Sequence, residues 1–243
     1  MSGNLQQTSG KLCSHSRNSN MASQNQPTLA DWVNDYIANF GTCYQAQTQW
    51  WGDRTLTWDA ALERAWLSRF ADGKMHPHQR RVSSKLAQGL NVSRQDDKQV
   101  QQFKTFAELH HWIESVTARV KGLGETTAYD VAQRLGMWLT LAPDLVYLHA
   151  GTAKGAAVFN ITGTTAFLSD FPAEIQKIGE THAENFLCIY KDHLKSLSKY
   201  SGLQINQVHR ARDCGHTGTS SKGLRTYRPL DGLRAVCTTC VPN

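Results

Sequence analysis

Apolar residues recur every three or four positions through most of the middle of this chain, and Gly122-Leu123-Gly124 interrupts that rhythm. No other feature restricts the fold as much. Upstream, Phe106, Leu109, Trp112, Ile113 and Val116 form one stripe at helical spacing. Downstream, Tyr129, Val131, Ala132, Leu135 and Leu139 continue at the same period. Two glycines around one apolar residue permit a tight turn without side-chain obstruction. The segment Val120-Lys121-Gly122-Leu123-Gly124-Glu125 is therefore expected to be a hairpin between two helices. Its amides would open the second helix, where unpaired N–H groups and the helix dipole favour a phosphate oxygen. Lys121 adds charge, Leu123 tucks into the two-helix unit, and Thr126 and Thr127 extend the contact. Such a contact grips a nucleic-acid backbone and carries no base specificity.

The same periodicity sketches the remaining elements. Trp32, Tyr36, Ile37 and Phe40 predict a helix that Gly41 stops; Thr57-Trp58-Asp59 opens another, which Asp72-Gly73 ends. A further helix is expected over residues 82–90, and Asp96-Asp97 could begin one more. Residues 145–150 read as a helix start after Pro143-Asp144, and residues 173–197 as one long helix. Strand signals are weak, so the fold class is mainly α. Residues 1–27 are rich in Ser, Asn, Gln and Gly and cannot bury enough surface to offset their ordering entropy, which predicts a disordered tail. A helical domain over 28–202 and a basic Cys/His element over 203–243 complete the division.

Formal net charge is +6, which favours a polyanionic partner without fixing a fold. No apolar run approaches a membrane span, and the N-terminus lacks a basic-then-apolar leader. A monomeric, cytoplasmic, DNA-associated protein with no membrane partner is the expectation.

The run Gly122-Leu123-Gly124-Glu125-Thr126-Thr127-Ala128, an aspartate (Asp144) twenty residues after Gly124, and Gly155 eleven residues further on resemble the helix-hairpin-helix base-excision DNA glycosylases, the endonuclease-III-like superfamily. The resemblance covers roughly residues 106–157. It implies a glycosylase-like helical bundle that binds double-stranded DNA. It also implies a catalytic role for Asp144, stabilising positive charge on the sugar or activating a water that attacks C1′. Without the resemblance, Pro143-Asp144 before an apolar run reads as a helix N-cap. Relatives that also cut the strand carry a lysine two residues after the second glycine. That position is Thr126, which cannot form an imine; Lys121 and Lys154 do not occupy it. The implied activity is therefore a monofunctional glycosylase that flips a damaged or modified base and leaves an abasic site, with no cofactor required for catalysis. Repair and defence against phage DNA with modified bases both fit, and nothing identifies the base. A non-catalytic helix-hairpin-helix/zinc DNA-binding module is the alternative. A nuclease ranks last, because Asp96-Asp97 and Asp130 form no evident metal-binding set.

In His76-Pro77-His78-Gln79-Arg80-Arg81, Gln79 could pair with a base edge or plug the stack, and Arg80 and Arg81 suit phosphates. A solvated basic loop is the competing reading. His78, Tyr147 and His149 are candidates for the base pocket, His149 equally for a structural role. Trp50, Trp51 and Trp58 fall at spacings more typical of core.

Cys237-Thr238-Thr239-Cys240 together with Cys214 and His216 could form a tetrahedral structural zinc site, with His209 as a substitute ligand. Reduced thiols near a loose end are the alternative. Lys222, Arg225 and Arg228 between the pairs suit phosphates. The spacing does not match a four-cysteine iron–sulfur loop.

Overall fold

The computed structural model describes residues 27–96, 98 and 100–200. The expected tail, apart from Pro27, and the C-terminal element with Cys214, His216, Cys237 and Cys240 lie outside the described residues.

The fold is mainly helical. Helix α1 (Leu29–Trp51) opens on a capping box in which Thr28 and Asp31 bond each other's backbone. It does not stop at Gly41. Gly41 is buried in a helix that runs ten residues further, so tertiary packing overrides a local stop signal. Helix α2 (Trp58–Leu67) starts at the Thr57 cap as expected and ends at Ser68, before Asp72-Gly73. A 3-10 turn over Pro77–Val82 leads into α3 (Ser83–Gln95). Asp96 closes α3 instead of opening a helix: its carboxylate accepts from Trp112 Nε1 at 2.8 Å and pairs with Arg119.

Helices α4 (Phe106–Ala118) and α5 (Glu125–Leu139) form the expected pair on either side of the turn and pack on each other. All five residues of the upstream stripe are buried. A second departure follows α5. Residues 145–150 are not a helix start: Val146–Tyr147 is a short strand, β1, paired antiparallel with β2 (Thr165–Ala166). Two adjacent buried side chains, Val146 and Tyr147, reach different apolar clusters, which extended backbone allows because successive side chains point oppositely. The next helix, α6 (Ala150–Ala156), takes His149 as its N-cap residue. The long C-terminal helix is two helices, α7 (Ala173–Gln176) and α8 (Gly179–Tyr200), and between them Gly179 takes a left-handed conformation, φ +77°, that favours glycine.

The side chains pack into two main cores. The first joins α2, α3, α4 and α5, with Leu109, Ile113, Val116, Val131 and Leu135 fully excluded from solvent. The second joins the first half of α1 to β1, α6, α7 and α8. In the second core α6 lies so close to α8 that a Cβ at Gly155 would collide with the Leu187 carbonyl. Helix α1 runs past both, and its C-terminal half adds Tyr44 and Trp51 against Met137 of α5. A polar cavity lies at the seam between the two cores.

Candidate functional site

The hairpin is built as its sequence suggested. Gly122 has φ +96°, a left-handed conformation that suits glycine, and Gly124 is the residue before α5 with open space where a Cβ would stand. Val120 is buried and Leu123 packs against the first core, so the turn is anchored from beneath. Lys121, Gly122 and Gly124 are exposed, Thr126 is half-buried and Thr127 is buried. Glu125 stands exposed in the first turn of α5, where its charge competes with an incoming phosphate.

Helix α5 also forms a wall of the seam cavity. That cavity, of about 190 Å³, is lined by Tyr36, Tyr44 and Trp51 of α1, by His76 and His78, by Asp130 and Arg134 of α5, and by Glu184 of α8. Its volume falls below the roughly 300–1,000 Å³ typical of drug-sized ligand sites, so it suits a small group. Beneath the surface a connected polar network holds the wall. Arg134 donates to the Ala65 carbonyl (3.2 Å), Ser68 Oγ (2.7 Å) and Gln79 Oε1 (2.8 Å). Gln79 Nε2 donates to Asp130 Oδ2 at 2.5 Å, and the same oxygen lies 3.1 Å from His78 Nδ1. Ser68, Gln79, Asp130 and Arg134 are all buried, whereas the His78 side chain remains 45% exposed.

The charges in this network are set by competition. Burial pushes the Asp130 carboxyl up, but the His78 hydrogen bond and the Arg134 charge outweigh it and hold Asp130 below the usual carboxylate range. The hydrogen bond to Asp130 raises His78. Burial drives His76 down to about 3, so its imidazole is neutral at physiological pH. Across the seam, burial pushes the Glu184 carboxyl up to about 8, against the bond it accepts from Thr152 Oγ1 at 2.7 Å. At neutral pH Asp130 is therefore ionised and Glu184 largely protonated. His149 Nε2 lies 3.3 Å from Glu184 Oε1 but is not aligned for a hydrogen bond, and both its ring nitrogens are buried without partners.

His149 also reaches a second cavity, of about 260 Å³, together with Tyr147, His110, Glu114 and Glu125. Tyr147 and His149 are thus brought together at one opening, near the N-terminal end of α5. His78 belongs to the other cavity.

Asp144 lines neither cavity. It is exposed on a bend, five residues before the residue that caps α6, so the expectation that it opens a helix is corrected. Gln79 is also corrected: it is fully buried with both ends of its amide bonded inside, which removes it from the surface where a wedge would act. Arg80 and Arg81 are exposed on the 3-10 turn. Trp50 and Trp58 are partly buried and pack against the apolar clusters, while Trp51 is core on one side and cavity wall on the other.

Sequence reasoning missed His76, Arg134 and Glu184, and set Asp130 aside. One signal was present: Asp130 and Arg134, four residues apart, stand among Tyr129, Val131, Ala132 and Leu135 of the apolar stripe. His76, His78 and Asp130 place ligand-type atoms within 4.8 Å of one another, a grouping that could in principle hold a metal ion. No helix among the described residues is long and apolar enough to cross a membrane.

No family model matches the chain, and no curated protein or solved structure is significantly similar to it.

Proposed function

We propose that the protein binds duplex DNA through the α4–α5 hairpin and hydrolyses the N-glycosidic bond of a single extruded base, leaving an abasic site. One observation carries this reading. The helix that begins at the backbone-gripping turn is the helix that bears Asp130 and Arg134 in the cavity wall. Asp130 lies six residues beyond Gly124, about 9 Å along the helix. Exposed Arg80 and Arg81 and the net positive charge support contact with the phosphate backbone.

The reaction needs a proton for the departing base and negative charge near the sugar. A buried, protonated Glu184 suits the first task, and it lines the cavity that Asp144 does not. We therefore move the acid–base role from Asp144 to Glu184. Thr126, where a strand-cutting relative carries lysine, supports base release without strand cleavage.

The test is mass spectrometry of bases released from a panel of damaged and phage DNAs, with gel-shift binding measured in parallel. The reading expects release by the wild type and intact strands until alkali is added. Tight binding with no release from any substrate would leave the non-catalytic DNA-binding module in its place.

A further inference from the structure

We propose that His76, His78 and Asp130 form a three-ligand site for a divalent first-row transition metal, opening into the seam cavity. This inference stands independently of the glycosylase reading.

Three observations support it. The first is spacing. Ligands bound to one such ion at about 2.1 Å lie roughly 3–3.5 Å from each other. His78 Nδ1 and Asp130 Oδ2 are already 3.1 Å apart, and the whole set falls within 4.8 Å, so two of the three ligand atoms stand at the required spacing and the third lies close by.

The second observation is support behind the ligands. Metal-binding carboxylates are commonly oriented by a further hydrogen bond, and Gln79 provides it here, locked in turn by Arg134. Three hydrogen bonds tie the Arg134 guanidinium to Ala65, Ser68 and Gln79, and it lies over the Trp51 ring, so it is held in the wall although its charge is felt by His76, His78 and Asp130. An interior network of this kind is a poor way to gain stability, because burying charges costs about as much as their pairing returns. Its retention beneath one partly exposed imidazole is explained if that imidazole must be held for a ligand.

The third observation is access. Two imidazoles and one carboxylate leave coordination positions free, the arrangement of sites that bind water or substrate rather than of closed structural sites. His76, His78 and Asp130 all border the cavity, so the free positions have space beside them.

The site differs chemically from the cysteine-rich set near the C-terminus, and the experiment separates them. The full chain is purified as wild type, as Cys237→Ser/Cys240→Ser, and as that double variant with His78→Ala added. Metal content is measured after gel filtration, and Co(II) uptake is followed by its visible absorption. The proposal expects about one equivalent of metal in the double variant, Co(II) absorption without the intense thiolate band, and at least a hundredfold weaker Co(II) binding once His78 is removed. His78 is partly exposed, so this last variant should still unfold cooperatively; Asp130→Asn, monitored by circular dichroism, provides a second check. A folded double variant that takes up neither zinc nor Co(II) overturns the proposal. So does uptake that is unchanged by both His78→Ala and Asp130→Asn.

Discussion

The two sides of helix α5 are stabilised by different physics. Toward α4, Val131, Ala132 and Leu135 join a close-packed apolar core with Leu109 and Ile113. Toward the seam, Asp130 and Arg134 are buried among polar partners and Gln79 links them. The apolar side gains from every methylene removed from water, roughly 25 cal/mol per Å². The polar side gains little overall, yet breaking it at one point strands the remainder. The apolar side anchors the hairpin; the polar side places ionisable groups beside a cavity.

Substitutions should separate these behaviours. Arg134→Met should cost most, about 4 kcal/mol, because it leaves Asp130 without its balancing charge and Gln79 Oε1 without a donor. Replacing Gln79, Asp130 and Arg134 together by apolar residues should cost less than that single change, as urea denaturation would measure. If the triple replacement costs the sum of its parts, the network is not the linked unit described above. On the apolar side Ile113→Ala should cost about 3 kcal/mol, and there losses should add with those at well-separated core positions.

Glu184 adds a pH dependence. Its folded pKa of about 8 lies above the usual 4.5. The folded chain therefore keeps a proton that the unfolded chain releases. Stability is favoured below about 4.5, falls as pH rises to about 8, and is level beyond, at roughly 1.4 kcal/mol for each pH unit of that interval. Thermal unfolding of Glu184→Gln across this range should lack that decline. An identical slope in both proteins would place the titrating group elsewhere. A smaller effect is expected at the Thr105 cap of α4: Thr105→Ala should lose about 1 kcal/mol. The smallest belongs to Lys121→Ala, which should leave stability unchanged while reducing the salt slope of DNA binding by about 0.9.

The apolar side was the legible one. Thr57 announced a helix start, the stripe from Phe106 to Val116 announced α4, and Gly122-Leu123-Gly124 announced the turn. Periodicity and capping depend on near neighbours in the chain, so they can be read along it. The site depends on distant segments. Glu184 and Asp130 are 54 residues apart, and only Asp130, set between Tyr129 and Val131, carries a local mark of burial. Asp130 with Arg134 looks like an ordinary ion pair on a helix surface until Gln79 and Ser68 are seen to cover it. The helix start expected at Asp144 departs for a related reason. Pro143-Asp144 before an apolar run suggested an N-cap, but the chain enters β1 first and reaches its helix only at Ala150. The cysteine set near the C-terminus lies outside the described residues.

The central claim is that the cavity carboxyl, not the exposed one, serves the reaction. It is tested by single-turnover base release from a released-base-positive DNA with Glu184→Gln and Asp144→Asn side by side. The account predicts at least a hundredfold slower release for Glu184→Gln with DNA affinity within about twofold of wild type, and near wild-type release for Asp144→Asn. Wild-type release by Glu184→Gln, with release lost in Asp144→Asn, would contradict it.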